Sequence, residues 1–432
     1  MSRITASFPL TADFRNQLSA YARHFEEFAL LDSCGNTAYG EPAFDYLLAA
    51  GAYAVCAPAE PYQACAVWKD FVNAHGDWLF GYLGYELNAG LAAISPPEKK
   101  LAHVPALRFF APIVLIKVAH NRVDISIQPD TICGKPEQIY QNIIETNVEA
   151  VISAYTRLNP VISVDTYTEN VNRIRQHIID GDIYELNYCQ PFIAEQVDID
   201  PITAYNRLCA VSKAPFSVLY RFGEQYLICG SPERFFRFDG THMYSQPIKG
   251  TRKRGTTAAE DAQLKAELSA SSKDRAEHVM IVDLVRNDLT PYAVPGSIAV
   301  ENMYGIYAFE QVFQMVSTVR ATLQPDAHVC DAILQAFPMG SMTGAPKKRA
   351  MEIIAETEQL QRGMYSGAFG YFTPDGTCDF NVLIRSMFYH AHTQRLTAWA
   401  GGAIVYDSEP ALELEECYVK LAGIVRVLQP DT

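Results

Sequence analysis

Residues 216–238 carry the sequence FSVLYRFGEQYLICGSPERFFRF, and this stretch decides the class of fold. Apolar and polar residues alternate along it, and Gly223 interrupts the alternation, so it predicts two or three β-strands joined by tight turns. Residues 113–127, IVLIKVAHNRVDISI, have the same pattern and predict a hairpin that turns at Asn121. Residues 380–405 predict two or three further strands.

Helical periodicity of apolar residues separates these strand-rich stretches. It predicts helices over the ranges 138–156, 166–180, 201–211, 273–286, 347–361 and 411–427. Runs of hairpins broken by helices are typical of an α+β fold with mainly antiparallel sheet, rather than of a doubly wound parallel sheet. A polar helix that ends in the Pro-containing stretch 157–165 predicts a boundary there, with an N-terminal region at 1–160 and a second region at 165–430.

Composition and charge exclude several classes of function. The chain is 49 % hydrophobic and carries a net charge of −14, which is not typical of a nucleic-acid-binding protein. No run of about 18 or more apolar residues predicts a membrane span. The first residues, MSRITASFPLTADF, do not resemble a secretory signal, so we expect a cytoplasmic protein. The one basic cluster, KGTRKR at 249–254, is interpreted as a local charged turn.

Metal and nucleotide motifs are mostly missing from the sequence. The ten cysteines form no CxxC pair, and no HExxH or clustered Cys/His set indicates zinc. No GxGxxG follows a predicted strand, so a dinucleotide site is not indicated. The sequence therefore predicts reduced thiols and leaves carboxylates as the expected ligands of any metal.

Two predicted helices present pairs of carboxylates. In the helix near 273–289, Asp274 and Glu277 share one face near its first turn. In the last helix, three charged residues lie together at i, i+3 and i+7: Glu413, Glu416 and Lys420. Spacing alone leaves two interpretations open: solvated acidic faces, or two pairs that hold one hard cation such as Mg²⁺.

Five motifs in order resemble those of the chorismate-utilising enzymes, a family that includes anthranilate, aminodeoxychorismate, isochorismate and salicylate synthases. The motifs are KDRAEHVMIVDLVRNDL (273–289), GSMTGAPKKRAMEII (340–354), YSGAFGYF (365–372), IRS (384–386) and GGAIVYDSEPALELEECYVK (401–420). The resemblance covers residues from about 165 to the C-terminus. It favours the cation-holding interpretation of the two acidic helices.

The resemblance implies a large chorismate-binding α+β fold, with two mainly antiparallel sheets packed together, helices outside, and the site between the sheets. It implies that Glu277 and Glu416 bind Mg²⁺ directly, while Asp274 and Glu413 act through bound water. The cation would hold the ring carboxylate of chorismate. Magnesium is thus the expected cofactor and chorismate the expected substrate.

The same resemblance implies contacts to the rest of the substrate. Tyr365 and Arg385 would bind the enolpyruvyl carboxylate, since the planar guanidinium can form two bonds to a carboxylate. Four more positions are expected to contribute backbone or side-chain donors: Thr343, Gly401, Gly402 and Lys420. Ala403 stands where a third glycine is usual in the family. LLDS at 30–33 resembles an element of a tryptophan-like effector pocket, which places Ser33 there.

PIKGT at 247–251 distinguishes among the family's reactions. Aminodeoxychorismate synthases carry a lysine where Lys249 stands, whereas anthranilate synthases usually carry alanine. The resemblance implies that Lys249 attacks the ring as the C4 hydroxide leaves, and that Glu233, in SPERF, protonates that hydroxide. A nucleophilic amine must be neutral, a state that burial favours and substrate carboxylates oppose.

Two positions depart from the family pattern. Isochorismate and salicylate synthases activate water with a lysine that aligns with Glu185 in GDIYELNYC, and the amine-transferring enzymes more often have glutamine there. Gln314, in VFQMVST, stands where many members have histidine, so this chain lacks the side chain to which the family assigns a proton transfer. The expected activity is the first component of aminodeoxychorismate synthase, which serves 4-aminobenzoate and folate synthesis; anthranilate synthase component I and a non-catalytic binding subunit are the alternatives.

The surroundings of the cysteines predict where the nitrogen for amination comes from. Release of ammonia from glutamine needs an activated cysteine, often on a sharp GxCxG turn beside a histidine. None of the ten cysteines sits in such a turn, and Cys229, in LICGSP, comes nearest. We therefore expect ammonia to come from solution or from a separate glutamine amidotransferase subunit. Nucleic acid and membrane are not expected partners.

Overall fold

The computed structural model describes residues 3–92, 94–129, 134–148 and 156–429. Within these ranges the strands are β1 Ile4–Pro9, β2 Glu27–Asp32, β3 Tyr46–Cys56, β4 Leu79–Leu83, β5 Leu107–Ala119, β6 Arg122–Ile127, β7 Asn159–Pro160, β8 Glu185–Ala194, β9 Phe216–Phe222, β10 Gln225–Ser231, β11 Arg234–Phe238, β12 His242–Gln246, β13 Ile248–Lys253, β14 Ala299–Ala308, β15 Val312–Thr322, β16 Gly344–Ala345, β17 Ala368–Phe372, β18 Cys378–Val382, β19 Ser386–His390 and β20 Arg395–Ile404.

The α-helices of the same ranges are α1 Phe14–Tyr21, α2 Pro61–Ala74, α3 Asn88–Ala92, α4 Pro136–Ile144, α5 Val164–Ile179, α6 Pro201–Ser212, α7 Ala258–Ala270, α8 Ser272–Leu289, α9 Val329–Ala336, α10 Lys347–Thr357 and α11 Pro410–Val427. Helices and mainly antiparallel strands alternate along the chain, which confirms the predicted α+β class. No helix in the described part of the chain is both long and apolar enough to cross a bilayer.

The strands form one continuous antiparallel sheet in which β5 pairs with β3, β4 and β6, and two limbs extend from β3 and from β4. We call β3-β2-β9-β10-β19-β20-β8 the first limb. We call β4-β17-β18-β11-β12-β15 the second limb, with β13 and β14 both paired to β15 at its end. The two separate sheets implied by the family resemblance are not shown, because β5 connects the limbs through backbone hydrogen bonds.

Two hydrophobic cores hold the fold together. One core lies between the limbs, where Tyr220 of β9 packs against Phe369 of β17 with ring centroids 5.3 Å apart. The other core packs the opposite face of the first limb against helices that include α1, α5, α6 and α11. Buried apolar surface of this extent is the main stabilising term in folding. The core between the limbs also fixes them relative to each other. The candidate site lies where the limbs end, at β8 and at β13.

The predicted hairpins are confirmed. The turn between β5 and β6 has φ of +53° at His120 and +58° at Asn121, as a two-residue hairpin turn requires. Residues 216–238 form β9, β10 and β11, and Gly223 turns the chain at φ +56°. The stretch 380–405 contains the end of β18 followed by β19 and β20.

The six predicted helices exist, but two are shorter than predicted. Helix α4 ends at Ile144, and residues 149–155 of its predicted range lie outside the described residues. Helix α10 ends at Thr357 rather than at 361. The predicted division into regions 1–160 and 165–430 stays a prediction. Strands from both sides of it pair directly, as β2 does with β9 and β4 with β17.

Candidate active site

The candidate site lies between the ends of the two limbs, where a lysine of β13 meets a glutamate of β8. Lys249 Nζ donates to Glu185 Oε2 at 3.4 Å. The Lys249 side chain is 16 % exposed and that of Glu185 only 3 %. Gly250, which follows the lysine, has φ of +87°, and a Cβ there would approach Asp274 to 3.1 Å. The irregular strand backbone at this position therefore requires glycine and brings α8 close to the lysine.

Glu233 lies just before β11 and is buried. Burial raises the pKa of its carboxyl to about 7, against the opposing effects of the Ser341 hydroxyl, the Ile248 backbone N–H and the charges of Lys249 and Lys420. Ser341 Oγ donates to Glu233 Oε1 at 2.9 Å. A buried carboxyl with this pKa can hold and release a proton near neutral pH, as a general acid must.

Helix α8 presents the first carboxylate pair. Its N-cap Ser271 accepts a hydrogen bond from the Asp274 backbone N–H at 3.2 Å, so the helix starts one turn before Glu277. Arg252 Nη2 donates to Asp274 Oδ2 at 2.8 Å. Burial raises the pKa of Glu277, and the nearby carboxylates of Glu185 and Asp274 add to that increase, while Lys249 and Lys273 oppose it.

Helix α11 presents the second pair. Ser408 Oγ donates to Glu413 Oε1 at 2.6 Å, and burial raises the pKa of this carboxyl. Glu416 Oε1 pairs with Lys420 Nζ at 2.6 Å, and the same Nζ donates to the Gly401 carbonyl at 2.6 Å. Burial opposes ionisation of Glu416, but Lys420 and Lys249 outweigh it and lower the pKa of this carboxyl.

Gly402 of β20 lies directly against the two carboxylates of α11. A Cβ at this position would lie 3.2 Å from both Glu413 Oε2 and Glu416 Oε1, so only glycine leaves the space in front of these oxygens open. Carboxylate oxygens with such a gap are the donor set that Mg²⁺ takes. The carboxylates of Glu185 and Asp274 repel that of Glu277 and contribute to its raised pKa. A bound divalent cation would relieve this repulsion. These observations fit a magnesium ion.

The four carboxylates are not drawn into one tight cluster. Of the described residues, only Asp32, Cys34 and Cys209 form a group of three or more Asp, Glu, His or Cys whose donor atoms all lie within 4.8 Å. Two of the predicted ligands form ion pairs with basic side chains instead: Asp274 with Arg252, and Glu416 with Lys420.

A cationic subsite lies beside Lys420. Arg385 Nη1 donates to the Lys420 carbonyl at 2.6 Å, and within the described ranges the guanidinium forms no ion pair. Burial lowers the pKa of Arg385, although Tyr365 and Glu416 oppose this. Tyr365 is 3 % exposed and stacks on Trp399 at 5.7 Å. A guanidinium without a carboxylate partner suits an anionic ligand.

The other predicted residues occupy different surroundings. Gly401 pairs with Cys189 across β20 and β8, and a Cβ on it would lie 2.1 Å from the Tyr188 carbonyl. Thr343 is fully buried, and its hydroxyl donates to the Met339 carbonyl at 3.2 Å, so it does not face the site as an open donor.

Ser33 is also buried. Its hydroxyl donates to the Asp45 carbonyl at 3.0 Å. It lines a separate cavity of about 90 Å³, together with Arg234 and Tyr371 of the second limb.

Sequence reasoning missed His278, which follows Glu277 on α8. Its Nε2 lies 2.7 Å from Ser317 Oγ, and burial lowers the pKa of the imidazole to about 4, so the ring is neutral at pH 7. Ser317 lies on β15, far from α8 along the chain, so no local spacing predicts this contact. Gln314 of β15 is buried as well, and its Oε1 has no hydrogen-bond partner among the described residues.

The fold brings a lysine, an arginine and four carboxylates to the ends of the two limbs of one sheet. A family model described as chorismate binding enzyme matches residues 52–426. The chain belongs to the family of chorismate binding enzymes.

Three relatives illustrate the similarity. An aminodeoxychorismate synthase of Streptomyces griseus is 44 % identical over 266 residues, which are 61 % of this chain and 36 % of that protein. Anthranilate synthase component 1 of Lactococcus lactis is 32 % identical over 364 residues, 81 % of this chain and 78 % of that protein. The crystal structure of anthranilate synthase component I from Streptococcus pneumoniae superposes with a TM-score of 0.74 at 27 % identity, covering 81 % of this chain and 80 % of that one.

The chain spans less than half the length of the aminodeoxychorismate synthases that it matches, between 36 % and 43 % of them. Both kinds of amine-transferring relative lie at moderate identity, so identity alone does not separate the two activities.

Proposed function

We propose that this chain aminates chorismate at C4 with ammonia to give 4-amino-4-deoxychorismate, as component I of an aminodeoxychorismate synthase. The observation that carries the proposal is Lys249, a partly buried amine held at 3.4 Å from Glu185 in the middle of the candidate site. An anthranilate synthase needs no amine at this position. The second candidate is still anthranilate synthase component I, because relatives of that name match at similar identity.

The proposed chemistry has two stages. Lys249 forms a bond to the ring while the C4 hydroxyl leaves with a proton from Glu233, so the bond made to nitrogen balances the bond broken to oxygen. Ammonia then attacks C4 and expels the Lys249 amine. Splitting one difficult displacement into two easier ones is the usual benefit of a covalent intermediate. The raised pKa of Glu233, about 7, supports its role as the proton donor.

Glu185 supports the nucleophile. A lysine must lose a proton before it attacks, and the Glu185 carboxylate is the group to which Lys249 Nζ donates its hydrogen bond. Glutamine, which is more usual here in the amine-transferring enzymes, could hold the lysine but could not take its proton. We infer that Glu185 positions Lys249 and receives that proton.

We propose that Glu277 and Glu416 would hold a magnesium ion, with Asp274 and Glu413 behind them. When bound, Mg²⁺ would neutralise the ring carboxylate of chorismate and the carboxylates around it. On the protein side, Arg385 and Tyr365 would bind the enolpyruvyl carboxylate. Gly402 would leave room for the substrate beside the backbone of β20, and Lys420 would fix Glu416 against that strand.

The proton donor gives the reaction a defined pH dependence. Because Glu233 must be protonated and its pKa is about 7, kcat/KM for chorismate is expected to fall as pH rises above about 7 when the concentration of NH₃ is held constant. Glu233→Gln is expected to lower kcat/KM by roughly 10²–10⁴-fold and to abolish this pH dependence. The measurement is a pH series of initial rates for both proteins.

Thermal unfolding shows whether a low rate of the Glu233→Gln protein reflects loss of the proton donor or loss of the folded state. The pKa of Glu233 is higher in the folded protein than in the unfolded chain. Its contribution to the free energy of unfolding therefore decreases as pH rises through about 7. The Glu233→Gln protein should therefore unfold at an equal or higher temperature than the parent at pH 8. Glu224→Gln, at an exposed turn position, is the matched control and should change neither property. A full rate for Glu233→Gln would contradict the assignment.

The nitrogen source provides the direct test of the proposed function. The chain incubated with chorismate, Mg²⁺ and an ammonium salt is expected to form 4-amino-4-deoxychorismate, faster at high total NH₃, and to form none with glutamine. Adding a cognate glutamine amidotransferase subunit should restore use of glutamine. Chromatographic identification of the product decides the activity: anthranilate would favour the second candidate, and efficient glutamine use by the lone chain would contradict the two-subunit proposal.

A further inference from the structure

A second cluster of donor atoms lies outside the candidate active site, at the end of β2. Asp32 is the last residue of that strand, Cys34 follows in the next turn, and Cys209 comes from α6. One ligand atom from each of the three lies within 4.8 Å of the others. Asp32 and Cys209 are buried, while Cys34 is partly exposed. The cluster is therefore held by rigid elements and open on one side.

We propose that Cys34, Cys209 and Asp32 form a zinc-binding site. Zinc accepts sulfur and carboxylate ligands together and prefers four tetrahedral positions at roughly 2.0–2.3 Å from the metal. Donors around such an ion lie roughly 3–4 Å apart, so the three atoms need small movements only. Magnesium avoids sulfur ligands, which keeps this site chemically distinct from the carboxylates of α8 and α11.

An unpartnered hydroxyl points to a missing ligand. Tyr205, one turn before Cys209 on α6, is fully buried, and its hydroxyl has no hydrogen-bond partner in the described part of the chain. Its nearest charged or ionisable neighbours include Cys209, Asp32 and Cys34. A buried hydroxyl without a partner costs free energy, and a water in the fourth position of the ion would satisfy it.

The charges around the cluster balance when the ion is bound. Two thiolates and one carboxylate carry three negative charges, and Zn²⁺ together with Arg15, which lies 2.6 Å from Asp32 Oδ2, would neutralise them. Zinc binding would release the two thiol protons to solvent.

The local backbone already has the form that the site needs. Cys34 adopts φ of +50°, and its backbone N–H donates to Asp32 Oδ1 at 2.6 Å, which holds the turn after β2 closed. The Cys34 thiol donates to Ser217 Oγ at 3.4 Å, a weak contact that a metal would replace. Asp32 also lines the cavity of about 90 Å³ that contains Ser33, so the ion would fix one wall of it.

The experiment uses the full chain, freed of metal by a chelator, kept reduced, and supplied with excess Mg²⁺ to occupy the carboxylate site. Titration with Co²⁺ is expected to give one equivalent of binding with thiolate-to-cobalt charge-transfer absorption, which an equal amount of Zn²⁺ removes. Cys34→Ser and Cys209→Ser should each lose this absorption. Cys229→Ser, at another buried cysteine, is the control and should keep it.

Alkylation of the protein without substitutions tests the zinc site independently of the variants. Zinc should slow the modification of Cys34 by iodoacetamide several-fold, measured by mass spectrometry of the peptide that contains it. Three results would overturn the proposal: no charge-transfer absorption, absorption that survives both cysteine substitutions, or a disulfide between Cys34 and Cys209 without metal uptake.

Discussion

Replacing Lys249 by alanine is expected to lower kcat for amination by roughly three orders of magnitude or more, a loss of about 4 kcal/mol of transition-state stabilisation. Without the amine, chorismate can react only by slow direct attack of ammonia at C4. The substitution also leaves Glu185, whose side chain is 3 % exposed, without the partner at 3.4 Å. Steady-state rates at saturating ammonia, with the same product assay for both proteins, measure the effect.

The matched control for this prediction lies on the same strand. Lys253 is the exposed last residue of β13, so Lys253→Ala removes an equal charge without touching the site. It should keep the full rate. A Lys249→Ala protein that is folded, forms 4-amino-4-deoxychorismate and retains the parent rate would rule out the nucleophile.

Glu277→Gln and Glu416→Gln are expected to raise the Mg²⁺ concentration needed for half-maximal activity, or to abolish activity. Loss of a direct ligand should cost more than the roughly 10–100-fold that substitutions of supporting residues cost in metal affinity. Titration of activity with Mg²⁺, and with EDTA, measures this. Glu415→Gln, an exposed neighbour on α11, is the control and should behave like the parent. Activity unchanged in EDTA would contradict the metal site.

The two substitutions should differ in their effect on stability without metal. Burial and the carboxylates of Glu185 and Asp274 raise the pKa of Glu277, so its charged carboxylate is less stable in the folded protein than in the unfolded chain and Glu277→Gln should raise the unfolding temperature. Glu416 pairs with Lys420 and is half exposed, so losing that pair should cost only about 0–1 kcal/mol. Differential scanning calorimetry in EDTA distinguishes these results.

Strand periodicity predicted much of the fold. Alternation at 113–127 and 216–238 is strong because each strand has one buried face, and the turns use residues that accept positive φ. Helix α7 was missed because only Leu268 is buried, which leaves no apolar stripe. The signal that would have found it is its cap, since Thr257 accepts from the Glu260 backbone N–H at 3.2 Å.

The sequence predicts which residues form the site, but not which of them contact each other. Motif resemblance identified Lys249 and the carboxylates of α8 and α11. Nothing local shows that Glu185 would hydrogen-bond Lys249, because that contact depends on how β8 and β13 meet at the ends of two limbs. The cluster of Cys34 and Cys209 was missed for the same reason, since the expectation that carboxylates hold any metal came from spacing along the chain.

The central claim is that Lys249 forms a covalent bond to the substrate. The most direct measurement is mass spectrometry of the chain held with chorismate and Mg²⁺ in the absence of ammonia, followed by peptide mapping. The account predicts an added mass of one chorismate less one water on the peptide that contains Lys249, lost on addition of ammonium and missing from Lys249→Ala. An unmodified Lys249 under conditions in which added ammonium gives full turnover would contradict it.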